Sequence, residues 1–393
     1  MSVTAPQGFV AAGGPVGIKA ADAPDLAVVA TDDGRPVPAA GVFTANLATA
    51  APVQVSRAHL AATAGQAAAV VLTSGNANAA TGQPGIAAAR RLCELVADGL
   101  GSAAEAVLVC QTGLIGIPFP LGVVEPLVGG VVAGRAGGDA AGRAAAEAIM
   151  TTDTVRKEAV ARGSAGAGSF TVGGMAKGAA MLAPNMATML AVLTTDAAAE
   201  PAVLQEILRA AVVSTFNSMS VDGCASTNDT VLLLSSGRAG PVDRDALAGA
   251  VTDVCGALAG QMVADAEGAT KVVHVQVTGA TTDGEAHRAA RKVADSLLVK
   301  CSLNGEDPYW GRVVSELGSA GVAFDLDRVT IAYGGTAVCV GGVAADHDTT
   351  AVAAHLAGRH VQIDCDLGLG AGAGVVLSTD LGYGYIDENR TTS

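Results

Sequence analysis

Near the middle of the chain lies the stretch GGMAKGAAMLAPNMATMLAVLTTD, which runs from Gly173 to Asp196. Before its final aspartate it carries one charge, Lys177, surrounded by glycine, alanine and methionine. Pro184 and the asparagine after it interrupt any helix, because proline lacks a backbone donor and asparagine favours turns. The apolar run from Met189 to Thr194 then predicts a strand. We therefore expect the hydroxyl of Thr188 at a turn, where this strand begins.

Outward from this stretch, short β-type runs alternate with alanine-rich helical patterns, and this alternation predicts a mixed α/β fold. The other predicted strands are Asp25 to Thr31, Ala68 to Thr73, Ala106 to Cys110, Ser169 to Gly173, Thr230 to Leu234, Val272 to Thr278, Val329 to Tyr333 and His360 to Asp366. The predicted helices are Ile86 to Leu100, Asp139 to Met150, Pro201 to Phe216, Val242 to Ala266 and Asp283 to Val299. Two stretches, Val132 to Gly142 and Arg162 to Gly168, have the composition of flexible connections.

Length and composition exclude several classes of protein. The 393 residues suggest two or three lobes, and only 3% of them are aromatic, so the core must consist largely of small aliphatic side chains. The formal net charge of -14 and the lack of basic runs argue against nucleic-acid binding. Apolar stretches stop short of the ~20 residues that a bilayer span requires, and the N-terminus lacks signal-peptide features. We expect a cytoplasmic protein that acts on small molecules and binds neither membrane nor nucleic acid.

The usual pairs of nucleophile and base are missing from the sequence. None of the six histidines falls in a stretch that resembles a site, and no G-x-S-x-G motif is present. The seven cysteines never form a C-x-x-C pair, so we expect mostly reduced core residues and no metal site. A threonine can instead use its own α-amine as the base, provided that the preceding peptide bond is cut. From the residues alone, an ordinary strand-entry role for Thr188 stays the commoner alternative.

The run KGAAMLAPNMATML, Lys177 to Leu190, resembles the self-cleavage motif of the ornithine acetyltransferases, also called bifunctional glutamate N-acetyltransferases of arginine biosynthesis. The other matching runs are QGFVAAGGPVGIK (Gln7 to Lys19), SGNANAATG (Ser74 to Gly82), TGLIG (Thr112 to Gly116), MTTDT (Met150 to Thr154), FNSMSVDGCASTNDT (Phe216 to Thr230), EGATK (Glu267 to Lys271), SLLVKCSLNGEDPYWGR (Ser296 to Arg312) and DLGYGYIDEN (Asp380 to Asn389). The resemblance thus covers nearly the whole chain. It implies an α/β (α+β) fold, a layered α-β-β-α sandwich of the ornithine acetyltransferase/aminopeptidase kind, with a smaller C-terminal α/β lobe.

The resemblance also implies how the chain is divided. Self-cleavage would fall between Ala187 and Thr188 and would make Thr188 the nucleophile. Residues 1–187 would form an α chain that carries the oxyanion hole. Residues 188–280 would form the nucleophile-bearing part of the β chain, and residues 281–393 a C-terminal lobe that closes the substrate pocket.

Several site residues follow from the family's motifs. The oxyanion hole corresponds to Thr112 and Gly113, although Gln111 stands where the family has serine. Substrate contacts correspond to Thr152, Lys177, Thr188, Glu267, Asn389 and Ser393. The tail is one residue shorter than usual, so the threonine before Ser393 is an alternative.

Each substrate contact also has a purely structural alternative. Lys177 fits a surface lysine, and Thr152 fits a residue that caps a turn or helix end. Glu267 would close the predicted helix that ends at Ala266, where a negative charge needs a cationic partner. That partner is either Lys271 or the side-chain ammonium of ornithine, and we favour ornithine because Gly268 breaks the helical spacing.

The implied activity is transfer of the acetyl group of N-acetylornithine to glutamate through an acetyl-threonine, with ping-pong kinetics and without a metal or cofactor. Acetyl-CoA is a second candidate acetyl donor, and the implied assembly is an α₂β₂ heterotetramer. One alternative is an N-terminal-nucleophile amidohydrolase or aminopeptidase, in which water receives the acyl group. The other is a non-catalytic binding or assembly protein, in which the apolar stretch is only core.

Overall fold

A computed structural model of the chain describes residues 2–20, 22–165, 168–182 and 189–391. The chain divides into two compact units. The first consists of Met1–Asn217 and Cys224–Met262, and the second of Ser218–Gly223 and Val263–Ser393. Ala187, Thr188, Thr392 and Ser393 lie outside the described residues.

The strands and helices alternate along the chain, which confirms the predicted mixed α/β class. The first strands are β1 (Phe9–Gly14), β2 (Leu26–Thr31), β3 (Val37–Phe43), β4 (Gln66–Ala67), β5 (Ala69–Asn76), β6 (Val107–Leu114), β7 (Lys157–Ala165), β8 (Gly168–Lys177) and β9 (Leu190–Ala198). The later strands are β10 (Met219–Ser220), β11 (Thr230–Pro241), β12 (Val272–Ala280), β13 (Thr330–Tyr333), β14 (Thr336–Val340), β15 (Val343–Ala344), β16 (His360–Asp366) and β17 (Gly372–Thr379). The helices are α1 (Ala51–Ala62), α2 (Gly82–Leu100), α3 (Leu121–Ala133), α4 (Asp139–Ala148), α5 (Pro201–Ser214), α6 (Arg244–Ala264), α7 (Asp283–Ala294), α8 (Leu297–Asn304), α9 (Trp310–Gly318), α10 (Thr349–Ala357) and α11 (Tyr383–Asn389).

The first unit is built around two sheets. One has the strand order β1-β2-β5-β6, and the other has the order β4-β3-β11-β9-β8-β7. Apolar residues from both sheets share one core cluster, including Val70 and Leu72 of β5 and Leu190 and Val192 of β9. Alternate residues of each strand enter this cluster, as the two-residue period of a strand requires. The two sheets therefore pack face to face.

Helices cover the outer faces of both sheets in the first unit. Residues of α2 and α3, such as Leu92 and Val128, pack against the outer face of the four-stranded sheet. On the other sheet, Gly174 of β8 lies directly under Val254 and Leu258 of α6. This order of layers is the α-β-β-α sandwich that the family resemblance implied.

The long apolar helix α6 departs from one expectation. At 21 residues it is long and apolar enough to cross a membrane by length and composition alone, whereas the sequence suggested that every apolar stretch is shorter. Val254, Cys255 and Leu258 are buried. Its apolar face is that of a core helix packed on a sheet.

The second unit contains a seven-stranded sheet with the order β10-β17-β12-β16-β13-β14-β15. Val273, Val275 and Val277 of β12 enter its core together with residues of α7 to α10. Because β12 pairs along its length with β16 and β17, it belongs to this unit, whose longer segment begins at Val263. The sequence suggested a lobe of residues 281–393.

Three further boundaries differ from prediction. The helix expected from Asp283 to Val299 is two helices, because Ser296 caps α8 by accepting a hydrogen bond from the Val299 amide. The expected connection from Arg162 to Gly168 lies mostly in the antiparallel strands β7 and β8. Helix α6 ends at Ala264, so Glu267 follows the helix and does not close it.

Candidate active site

The end of β6 places Thr112 beside Gly113. The Thr112 side chain is buried, and its Oγ1 has no hydrogen-bond partner among the described residues. Gly113 has a φ of +130°, and a Cβ at this position would lie 2.2 Å from the carbonyl carbon of Gly75. Only glycine fits such a close approach of two strands. The end of β6 thus places the buried Thr112 hydroxyl, which donates no hydrogen bond to the described residues, next to the backbone of a glycine.

Gln111, which differs from the serine of the resembled motif, is held by its own network. Its Oε1 accepts a hydrogen bond of 2.8 Å from Asn78 Nδ2, and its Nε2 donates to Thr73 Oγ1 at 3.2 Å. Its backbone oxygen accepts from Asn228 Nδ2 at 2.8 Å. The glutamine is therefore fully engaged inside the unit, and it leaves the Thr112 hydroxyl unpaired.

The second feature is a buried cluster of charges around Asp153. Lys157 Nζ donates to Asp153 Oδ1 at 2.6 Å, and Lys177 Nζ lies 3.8 Å from Asp153 Oδ2. The amides of Thr151 and Gly178 also donate to this carboxylate. Burial alone would raise the pKa of Asp153, but the two ammonium groups and the hydrogen bonds outweigh it and lower this pKa to about 2. Asp153 is consequently ionised at neutral pH and holds Lys177 in place.

Lys177, at the end of β8, is buried and therefore is not the surface lysine that was one alternative. It donates to Thr151 Oγ1 at 2.7 Å. The neighbouring Thr152, which the sequence singled out, is exposed.

Lys19 supplies another cation nearby: its Nζ donates to Met150 O at 2.6 Å. Burial and the Lys177 charge lower the pKa of Lys19, although Asp25 acts in the opposite direction.

Strand β9 begins directly after the predicted cleavage point. Its first paired residue is Leu190, and the preceding amide of Met189 donates to Asp229 Oδ1 at 2.9 Å. Asp229 and Asp153 are functional candidates that the sequence did not single out. The available signals were a polar Asn-Asp pair just before the strand β11 and the i, i+4 spacing of Asp153 and Lys157.

In the second unit, Glu267 and Asn389 meet. Asn389 Nδ2 donates to Glu267 Oε2 at 2.7 Å. The turn that carries Glu267 packs closely on the start of α11, because a Cβ at Gly268 would lie 2.1 Å from the Tyr385 amide nitrogen. The positive φ of Gly268, +63°, also requires glycine. Glu267 and Asn389 were both predicted as substrate contacts, and the structure brings this pair together.

Lys271, the other candidate partner of Glu267, points elsewhere. Its Nζ donates to Glu306 Oε1 and to Leu356 O, each at 2.8 Å. The turn itself is anchored by Asp380, whose carboxylate accepts from the amides of Thr270 and Lys271 and from the Thr270 hydroxyl. Glu267 is therefore not held by Lys271.

Within the described ranges, no group of three or more His, Cys, Asp or Glu side chains is arranged to hold a metal ion. Five of the seven cysteines are buried, and Cys224 and Cys301 are exposed. Burial raises the pKa of the Cys110 thiol to about 12, which makes it a poor nucleophile.

Comparison with known proteins gives a consistent result. The model of the family described as ArgJ matches residues 10–391. The chain is 48% identical to the arginine biosynthesis bifunctional protein ArgJ of Mycobacterium tuberculosis H37Rv, over 100% of this chain and 96% of that protein. It is 45% identical to the protein of the same name from Thermobifida fusca, over 100% of both chains. Among solved structures, the ornithine acetyltransferase of M. tuberculosis in complex with ornithine is 43% identical over 47% of this chain and 94% of that chain, with a TM-score of 0.42.

Proposed function

Because the chain belongs to the ArgJ family, we propose that it is an acetyltransferase of arginine biosynthesis that moves the acetyl group of N-acetylornithine to glutamate. The products are ornithine and N-acetylglutamate. The observation that carries the chemistry is the buried Thr112 hydroxyl, which has no partner among the described residues and stands beside Gly113. A buried donor left unpaired costs stability, and here it serves as a donor to an oxyanion that forms only during reaction.

The reaction begins with self-cleavage between Ala187 and Thr188. The freed α-amine of Thr188 then takes the proton of the Thr188 hydroxyl, while the hydroxyl oxygen attacks the acetyl carbonyl of N-acetylornithine. Thr112 and Gly113 donate hydrogen bonds to the oxyanion of the tetrahedral intermediate. Its collapse breaks the bond between the acetyl carbon and the ornithine nitrogen, which leaves protonated, and an acetyl-threonine remains. The amine of glutamate attacks this ester and regenerates the Thr188 hydroxyl.

Two groups of charges suit the amino-acid substrates. Lys177, fixed by Asp153 and Thr151, offers an ammonium to a substrate carboxylate. Glu267, oriented by Asn389, accepts the side-chain ammonium of ornithine. Thr152 and the C-terminal residue Ser393, or Thr392 in its place, complete the proposed contacts.

The remaining proposals concern co-substrates, assembly and location. The two-step mechanism moves the acetyl group between amino acids without a metal or cofactor, and acetyl-CoA is a second donor to be tested. The two fragments of one precursor would assemble as an α₂β₂ heterotetramer in the cytoplasm. Side-by-side assays with N-acetylornithine and acetyl-CoA as donors, and the mass of the purified particle in solution, test these points.

The proposed function is tested by intact mass and by kinetics. We expect two fragments, the second beginning with Thr-Met-Leu, and parallel double-reciprocal lines when N-acetylornithine and glutamate are varied. Thr188→Ala should yield one uncut and inactive chain of about 38.3 kDa. Acetate release without transfer to glutamate would indicate an N-terminal-nucleophile hydrolase. A single full-length wild-type species without activity would indicate a binding protein and would refute the proposal.

A further inference from the structure

The dipeptide Asn228–Asp229 joins the strand that carries the proposed oxyanion donors to the strand that begins at the proposed nucleophile. Asn228 Nδ2 donates to the carbonyl of Gln111, directly before Thr112, at 2.8 Å. It also donates to Ala77 O at 2.6 Å. Asp229 Oδ1 accepts the amide of Met189 at 2.9 Å. One short segment before β11 thereby contacts both halves of the proposed catalytic apparatus.

The position of Asp229 along the chain matters for the cleavage reaction. Met189 is the residue directly after Thr188, so the Asp229 carboxyl binds the peptide unit next to the bond that is to be cut. The carboxyl is fully buried. A buried carboxyl beside this peptide unit is a candidate for transferring a proton within the protein.

The hydrogen-bonding state of Asp229 indicates that it holds a proton. Oδ1 is occupied by the Met189 amide, whereas Oδ2 is buried and has no hydrogen-bond partner among the described residues. An ionised carboxylate with so few donors would cost several kcal/mol in the interior. Burial accordingly raises the pKa of Asp229 well above its usual value. The Met189 amide, the Lys177 charge and the Ser226 hydroxyl, which makes no hydrogen bond to Oδ2, oppose this only in part. Burial, the unpaired Oδ2 and the direction of the pKa shift all favour the carboxylic acid over the carboxylate.

Asp153, the other buried carboxyl of this region, has the opposite character. It is ionised and bound to Lys157 and Lys177. Enzymes often use two carboxyls whose pKa values are shifted in opposite directions. The protonated carboxyl acts as an acid, and the ionised carboxyl stabilises charge. Asp153 is ionised at neutral pH and has no proton to donate, whereas burial favours the protonated form of Asp229.

We propose that the Asp229 carboxyl transfers the proton that self-cleavage requires, an inference that rests on the proposed function. When the Thr188 oxygen attacks the Ala187 carbonyl, a carbon–oxygen bond forms and the Ala187 carbon–nitrogen bond breaks. The departing nitrogen needs one proton, and the hydroxyl loses one. Asp229 Oδ2 delivers its proton to the nitrogen and receives the hydroxyl proton, so Asp229 is unchanged at the ester stage. Water then hydrolyses the ester, which restores the Thr188 hydroxyl and leaves the Ala187 carboxylate.

A purely structural role of Asp229 is the competing explanation, and one substitution separates the two. Asp229→Asn keeps an oxygen that accepts the Met189 amide, and it has nearly the same shape. It removes the transferable proton. If Asp229 only anchors Met189, this variant should be cut almost as fast as the wild type. If Asp229 transfers the proton, we expect cleavage at least about 100-fold slower.

The experiment follows cleavage in time. The wild type, Asp229→Asn and Asp229→Ala are pulse-labelled in cell-free translation, and the intact chain is measured during the chase. Thr188→Ala serves as the uncut reference, and thermal melting of each uncut precursor against this reference verifies folding. Asp229→Ala is chased with increasing formate, a carboxylic acid small enough for the vacated space, and with chloride at equal ionic strength as the control.

Each outcome decides a separate question. Slow cleavage of folded Asp229→Asn, with formate accelerating Asp229→Ala, supports proton transfer. Cleavage of either folded variant within threefold of the wild-type rate overturns the inference while leaving the proposed function intact. Asp229→Ala that stays uncut at every formate concentration indicates a structural role alone and also overturns it. An uncut wild-type chain refutes the proposed function itself.

Discussion

Replacing Thr112 by valine removes the proposed oxyanion donor while it preserves the shape of the side chain. The Thr112 hydroxyl is buried and has no partner among the described residues. In the resting protein, its loss therefore breaks no hydrogen bond. During reaction, the loss of one oxyanion donor lowers kcat by about 100- to 1,000-fold, or roughly 3 to 4 kcal/mol of barrier. The substitution should thus damage catalysis and spare the fold.

The stability side of the prediction has a definite sign. An unpaired buried hydroxyl costs about 1 to 3 kcal/mol, and replacement by an apolar group of the same shape removes that penalty. Valine also suits a strand. We expect the free energy of unfolding of Thr112→Val to lie between the wild-type value and about 1 kcal/mol above it. Urea denaturation measures this difference.

Thr194→Val is the matched control, because it makes the same change at another buried strand position. The Thr194 hydroxyl donates to Val3 O at 2.7 Å, so its removal leaves a buried carbonyl unpaired and should cost about 1 to 2 kcal/mol. Its kcat should match the wild type. All kcat values are measured on purified protein that has already cleaved itself, because slow self-cleavage would otherwise be mistaken for slow acetyl transfer. A kcat of Thr112→Val within threefold of the wild type, or a stability loss equal to that of Thr194→Val, would refute the reasoning.

Two further predictions test the charged groups. Asp153→Asn leaves Lys157 and Lys177 without their carboxylate and should lower the free energy of unfolding by about 3 to 5 kcal/mol at pH 7. Because the folded pKa of Asp153, about 2, lies below the unfolded value of about 3.9, its contribution is complete above about pH 4 and lost as the pH falls towards 2. Urea denaturation curves of variant and wild type should converge over that window, and a constant difference would contradict the assignment. Glu267→Gln should raise the KM for N-acetylornithine about 10-fold or more, and it should raise the KM for glutamate much less, because only ornithine carries a side-chain ammonium. Initial-rate kinetics measure both KM values. An equal rise in both would count against this contact.

Local patterns in the sequence predicted most elements whose period is clear. The strand predicted from His360 to Asp366 has the bounds of β16, and its residues alternate between buried and more exposed. The helix predicted from Asp283 to Val299 was wrong as a single element, because its helical period continues through Ser296. The capping hydrogen bond of Ser296 divides it, and a pattern of apolar positions does not contain that information.

The site was harder to predict, since its contacts join residues that are far apart in sequence. Thr112, Gly113, Lys177, Glu267 and Asn389 were identified only through the resemblance to a known family. The contact between Met189 and Asp229 spans 40 residues, and no local spacing predicts it. In the sequence, Asp229 looks like an ordinary turn residue before a strand. The burial of Asp229 and its unpaired oxygen become visible only when β9 and β11 are placed side by side.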